Sequence, residues 1–153
     1  MHLINLASDP LDPAEAIERL NAATPDAGGI ASFTGKVRAS GNVEALELSH
    51  YEPLTLPEMK ALGARASKRF DLMGLVMLHR VGRMVPGDKI VCVSAAARHR
   101  RDAIEAVDYC MDHLKSAAWF WKRELSGGTW RWIEPRAADH SDLARWTEKT
   151  SPV

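Results

Sequence analysis

The hydrophobic and polar positions along this chain change period several times, and each change marks an element. Residues 13–23 read as a helix, with Asp12 as its cap, Pro13 at the first helical position and Glu15 at capping-box spacing. GGIASFTGKVR (28–38) reads as a strand entered through a glycine pair, with Gly35 allowing a bulge or a close approach. After a turn at Ser40, Gly41 and Asn42, VEALELSHY (43–51) alternates with period two. Residues 56–70 carry Leu56, Met59, Leu62, Ala66 and Phe70 at helical spacing, with Pro57 in the first turn.

GLVMLHRVG (74–82) and DKIVCVSAAA (88–97) read as strands joined across Pro86-Gly87. The strongest helical pattern covers 100–118, where Ile104, Val107, Met111, Leu114 and Ala118 form a stripe. On this reading Gly127-Gly128 ends the helical stretch, TWRWIE (129–134) is a last strand, and SDLARW (141–146) is a terminal helix. Strands and helices in this order favour an α+β fold over a doubly wound parallel sheet. The 153 residues suffice for one domain, 1–153, with 1–27 as an N-terminal arm and helix and 140–153 as a C-terminal helix and tail.

Composition narrows the function by exclusion. Twenty basic residues balance twenty acidic ones, so any electrostatic function is local and no global charge draws the chain to nucleic acid or membrane. No run is long enough to span a bilayer, and the N-terminus has neither a basic segment nor the apolar run of a signal peptide. Cys92 and Cys110 lie in apolar segments without metal-ligand spacing, which fits small core residues and a reducing cytoplasm. P-loop, GxGxxG and GxSxG motifs are absent, and neither a metal nor a cofactor is indicated.

The candidate chemistry lies in HLKSAAWFWKRE (113–124). On one unbroken helix starting near Arg100, Arg100, Lys115 and Lys122 fall within roughly 60° of one another, in the arc of Ile104 and Met111. Asp108 and Asp112 lean to the solvated side. A lysine at the edge of an apolar stripe snorkels, pairs, or points into a pocket. Near another cation and half withdrawn from water, its pKa falls toward useful acid/base values. Arginine stays charged, so Arg38, Arg98, Arg100 and Arg101 are candidates for holding an anion, with His99 at the helix N-terminus. Solvated cations at a helix start are the plainer reading of His99 to Arg101. His79-Arg80 and His50-Tyr51-Glu52 read more simply as strand-end packing, and Trp130, Trp132 and Trp146 as core or dimer contacts.

FTGKVR (33–38), LHRVGRMVPGD (78–88), RHRRDAIEAVDYCMDHLK (98–115), FWKRE (120–124) and WRWIE (130–134), taken in order, resemble the large, catalytic subunit of molybdopterin synthase. The resemblance implies an α/β hammerhead fold and a homodimer. It also implies a small ubiquitin-like sulfur carrier docked on each subunit, giving a heterotetramer. The carrier's thiocarboxylated Gly-Gly tail would supply two sulfurs to cyclic pyranopterin monophosphate, forming the dithiolene of molybdopterin. By position, Lys115 and Lys122 match the family's catalytic lysines. Lys36, Val37 and Arg38 match a substrate-binding strand end, His99 and Arg100 a phosphate-binding pair, and Arg123 and Glu124 the flank of the second lysine. Trp119 stands where the family usually has proline, and Ile104 where it commonly has phenylalanine. The competing reading is a non-catalytic nucleotide- or RNA-binding module using Arg/Lys and Trp.

Overall fold

A computed structural model describes residues 1–117 and 119–148. In chain order the elements are β1 His2–Ala7, α1 Pro13–Ala23, β2 Gly29–Lys36, β3 Val43–His50, α2 Glu52–Arg69, β4 Gly74–Arg80, β5 Gly82–Met84, β6 Lys89–Ala97, α3 Arg100–Lys115, β7 Phe120–Ser126, β8 Thr129–Ile133 and α4 Ala137–Glu148. The fold is α+β, with two four-stranded sheets. The first runs β1-β4-β6-β2 and is antiparallel except where β1 pairs with β4; the second runs β5-β3-β7-β8 and is antiparallel throughout.

Alternation in the central strands explains the layers. Leu75 and Met77 of β4, with Val91, Val93 and Ala95 of β6, point into a core shared with α2 and α3. Their neighbours Val76 and Ala96 point to the opposite face, where Ala16 and Leu20 of α1 cover them. Full burial of side chains such as Met77 or Leu62 contributes on the order of 1.5–3 kcal/mol each. A third cluster of Val37, Leu46, Leu48 and Met84 lies on the inner face of the second sheet. Asp12 caps α1 by accepting the Glu15 N–H at 3.1 Å.

Four expectations change. The helix of 100–118 stops at Lys115, and Lys122 belongs to a strand that the helical reading concealed. Consecutive aromatics favour a strand over a helix, and FWKREL pairs with β3 on one side and β8 on the other. Gly127-Gly128 consequently ends no helix. The pair closes the β7–β8 hairpin, with φ of 57° and 76°, the doubly left-handed backbone that a two-residue hairpin requires.

The buried face of α3 is also rotated from the expected stripe. Ala103, Ala106, Val107, Cys110 and Leu114 are buried, whereas Ile104 is 57% exposed. Alanines let the helix sit close on β6 and β2, so small residues rather than the largest apolar ones mark the contact. Ala118 lies outside the described residues, as does the tail beyond residue 148. Finally, α2 begins a turn earlier than expected, which places Pro57 inside the helix.

Candidate active site

The inner face of the second sheet, the C-terminal end of α3 and the start of α4 enclose a cavity of about 550 Å³. Three features of the sequence build it. First, β2 has a register irregularity at Gly35/Lys36. A Cβ on Gly35 would stand 2.8 Å from the Val91 side chain, so glycine allows the close crossing. Beyond that point Lys36, Val37 and Arg38 turn to the cavity, with Val37 buried and the two cations exposed. Second, α3 terminates at Lys115, with Ser116 as its C-cap residue. Third, period two in β7 places Phe120, Lys122 and Glu124 on the inner face, opposite His50, Leu48 and Leu46 of β3.

The connection between α3 and β7 is pinned from α2. The buried Thr55 hydroxyl lies 3.1 Å from the Trp119 carbonyl and 3.0 Å from the Tyr51 carbonyl, and it can donate its proton to either. It also accepts the Tyr51 N–H at 3.2 Å. This anchors the chain as it turns from helix to strand.

Lys115 and Lys122 therefore meet across two elements, not along one helix. Lys115 is exposed at the cavity mouth, and Lys122 is the half-buried member of the pair. Burial first, and then the ammonium of Lys115, lower the Lys122 pKa below its ordinary value; Asp139 and Glu124 oppose the shift, while Arg136 adds to it. The expectation of a partly desolvated lysine is met by Lys122, on the strand, rather than by Lys115.

The sequence pattern gives His79 only a strand-end packing role. The residue is buried but lines the same cavity. Its ring stacks on Phe120 with centroids 4.2 Å apart, and Nδ1 lies 3.0 Å from the Arg80 carbonyl, so that nitrogen carries the proton. Burial, with smaller contributions from Lys122 and Lys115, lowers its pKa to about 4 against an opposing hydrogen bond to Arg80. The imidazole is neutral at pH 7.

Arg136 and Asp139 also line the cavity, and no local signal marked them. The sequence pattern starts the terminal helix at residue 141, whereas α4 begins at Ala137 and so includes Asp139. Asp108 is exposed, as expected, whereas Asp112 is largely covered: Arg145 of α4 reaches Asp108 at 2.7 Å and Asp112 at 2.6 Å.

Of the residues matched to the family's site, Lys36, Val37, Arg38, Lys115, Lys122 and Glu124 border this cavity. His99 and Arg100 do not. They begin α3, and fifteen residues at 1.5 Å rise put Arg100 roughly 22 Å from Lys115 along the axis. Arg123 is on the outer face of β7, where it donates to Glu47 at 2.9 Å and lies over the Trp130 ring at 4.2 Å. Trp132 is 63% exposed on that face, whereas Trp146 is in the core. Cys92 and Cys110 are both buried free thiols. Among the described residues no cluster of His, Cys, Asp or Glu has the arrangement of a metal site, and no helix is long and apolar enough to cross a membrane.

Comparison with known proteins agrees with this architecture. The family model described as MoaE protein matches residues 6–117. A molybdopterin synthase catalytic subunit from Caulobacter vibrioides is 40% identical over 148 residues, covering 96% of this chain and 99% of that protein. One from Brucella melitensis is 39% identical over 148 residues, covering 95% and 91%. The solved structure of a molybdopterin biosynthesis MoaE protein from Burkholderia ambifaria superimposes with a TM-score of 0.83 at 37% identity, covering 96% of this chain and 99% of that one. With the match extending over nearly the whole fold, including the strands, helix end and hairpin that shape the cavity, this chain belongs to the MoaE protein family.

Proposed function

We propose that this chain is the catalytic subunit of a molybdopterin synthase, a sulfurtransferase of molybdenum cofactor biosynthesis. It transfers sulfur from the thiocarboxylated C-terminus of a small ubiquitin-like carrier to cyclic pyranopterin monophosphate, forming the dithiolene. The observation that carries this reading is the convergence of Lys115 and Lys122, from different elements, on one cavity that Lys36 and Arg38 also border. The relatives named as catalytic subunits of that synthase support it over nearly the full length of the chain.

The arrangement suits the chemistry. Both reactants are anionic, and a thiocarboxylate brought against a phosphorylated pterin needs cations at the meeting point. Lys115, exposed at the mouth, compensates the arriving tail. Lys122, withdrawn from water and with its pKa lowered, is the one suited to giving and taking a proton during attack. Neutral His79 keeps a further positive charge out of the cavity floor. The sulfur arrives on the partner, so buried Cys92 and Cys110 have no part in it.

The assembly is a homodimer with a carrier on each subunit. Separation of His99 and Arg100 from their own cavity supports the dimer, since a second copy can supply them to it. The buried free thiols fit a cytoplasmic enzyme. The nucleotide- or RNA-binding reading has no support from the relatives, and Arg123, the nearer of the two arginines over Trp130, is already paired with Glu47.

The test is to incubate the protein with thiocarboxylated carrier and cyclic pyranopterin monophosphate and to measure dithiolene. Product formation that depends on the thiocarboxylate is expected. No product with a dimeric, carrier-bound protein would overturn the assignment.

A further inference from the structure

Among the described residues of α4, Asp139 is the one that borders the cavity together with both lysines. The residue is 8% exposed. Its Oδ2 accepts the Arg136 backbone N–H at 2.9 Å and its Oδ1 accepts from the Arg136 guanidinium at 3.2 Å. Its own carbonyl accepts from the Ser116 hydroxyl at 3.3 Å, next in sequence to Lys115. The carboxylate is thus held from its own helix and tied to the end of α3.

Closing the first turn of α4 accounts for the contact with the Arg136 N–H. It does not account for the burial, because a capping carboxylate at an exposed helix start keeps its water. Nor does it account for a placement among cations. From β2 and the residues just after it the cavity receives Lys36 and Arg38, from β4 His79, from α3 Lys115, from β7 Lys122 and Glu124, from the segment after β8 Glu134 and Arg136, and from α4 Asp139. Asp112 of α3 and Asp142 of α4 border the adjoining groove, where Asp139 and Lys115 also lie.

Resting on the reading of Lys115 and Lys122 as the reacting cations, we propose that Asp139 is a positioning residue, the fixed counter-charge that holds both ammoniums at the cavity. The mutual electrostatics run the right way. Burial raises the Asp139 pKa, but its hydrogen bonds to Arg136, and then the charges of Arg136 and Lys115, outweigh it and hold the group ionised; Asp139 in turn raises Lys122 against the lowering by burial, Lys115 and Arg136. Asp139 also carries this control on a separate helix. Movement of α4 would therefore change the charge balance of the lysines without moving either.

The experiment compares wild type with Asp139→Asn and Asp139→Ser, which keep a capping acceptor without the charge, and Asp139→Glu, which keeps the charge. Two readouts are taken: the pH dependence of kcat/KM for dithiolene formation, and the pH dependence of Lys122 labelling by an amine-reactive reagent, followed by peptide mass spectrometry. Loss of the carboxylate should move the lysine-dependent limb and the labelling midpoint to lower pH by roughly half a unit or more. Asp139→Glu should recover most of the shift. Labelling requires no turnover, so it reads the coupling even if the proposed reaction fails. A lowered melting temperature in Asn and Ser variants, with unshifted labelling and an unshifted pH profile, would reduce Asp139 to a helix cap and overturn the proposal.

Discussion

Arg145 donates to the Asp112 carboxylate through Nη2 at 2.6 Å and Nε at 3.2 Å, which fastens α4 across one face of α3. Trp146 Nε1 donates to the same oxygen at 2.6 Å, and its indole packs edge-on against Tyr109 and Phe70. The C-terminal helix is thus held by a charged fork and an aromatic anchor, and its first turn is thereby kept at the mouth of the lysine cavity. We expect Asp112→Ala to lose about 2–3 kcal/mol, because it strands hydrogen-bonded donors on α4. Chemical denaturation checks the stability, and protection of α4 amides from hydrogen exchange should fall more than that of β4 or β6. Uniform loss across the chain would show that the contact is not local to α4.

Lys115→Ala should leave folding unharmed, since the side chain is exposed at the last position of a helix. Turnover should fall by a factor of roughly 100 to 1,000, as for loss of an electrostatic group at a reacting centre. Dithiolene formation beside a melting curve checks this. A folded variant keeping more than about a third of wild-type rate, far from that loss, would remove Lys115 from the chemistry.

For Lys122 the expectations for stability and activity separate. The native state holds this ammonium less readily than the unfolded chain does, because burial and Lys115 lower its pKa. Where the unfolded chain binds more protons, stability rises with pH, so this lysine opposes folding below its native pKa and ceases to do so toward 10.5. Lys122→Met should therefore melt at or above wild type at pH 7 while losing turnover. A marked fall in melting temperature would mean that Lys122 has a stabilising partner in the fold.

His79 gives a second pH effect, of the same sign and in a different window. Buried neutral, it titrates near pH 4 in the native state against an ordinary 6.5. The unfolded chain takes up this proton first, so stability should fall as pH drops below 6.5 and level off below about 4. The loss amounts to about 3 kcal/mol. Carboxylates titrate in the same range, so the check is the difference between wild type and His79→Leu, denatured at pH 7 and pH 4.5. Equal acid sensitivity in both would show that His79 accepts a proton in the native state.

Arg100 and Lys115 lie at opposite ends of α3, which makes a shared site testable by mixing. Arg100→Ala alone should weaken pterin binding by about 1.5–3 kcal/mol, read as a raised KM. Dimers assembled from Arg100→Ala and Lys115→Ala chains should recover about a quarter of wild-type rate, since half of the dimers are hybrid and each hybrid has one intact site. No recovery would place Arg100 outside the neighbouring cavity.

Much of this protein was legible from local pattern. Period-two and period-3.6 spacing located β3, β4, β6, α1 and most of α3, because burying one face of a strand or helix imposes its own periodicity. Asp12, Pro13 and Glu15 marked the start of α1 for the same kind of short-range reason. The resemblance to the family rests on five segments in order, FTGKVR, LHRVGRMVPGD, RHRRDAIEAVDYCMDHLK, FWKRE and WRWIE.

Tertiary structure decided the rest. Whether HLKSAAWFWKRE continues as a helix or breaks into a strand depends on β3 and β8 lying ready to pair with it, and β3 is some seventy residues earlier in the sequence. With that break, two lysines seven residues apart came to face each other from a helix end and a strand. It also assigned the desolvated role to Lys122 rather than Lys115. The alanine face of α3, the neutral His79 stacked on Phe120 and the Asp139 carboxylate on the cavity that both lysines line have no local signature. Each depends on which segments pack against it: the sheet under Ala103 and Ala106, the ring of Phe120 over His79, and the latch of Arg145 on Asp112 that brings α4 to the cavity.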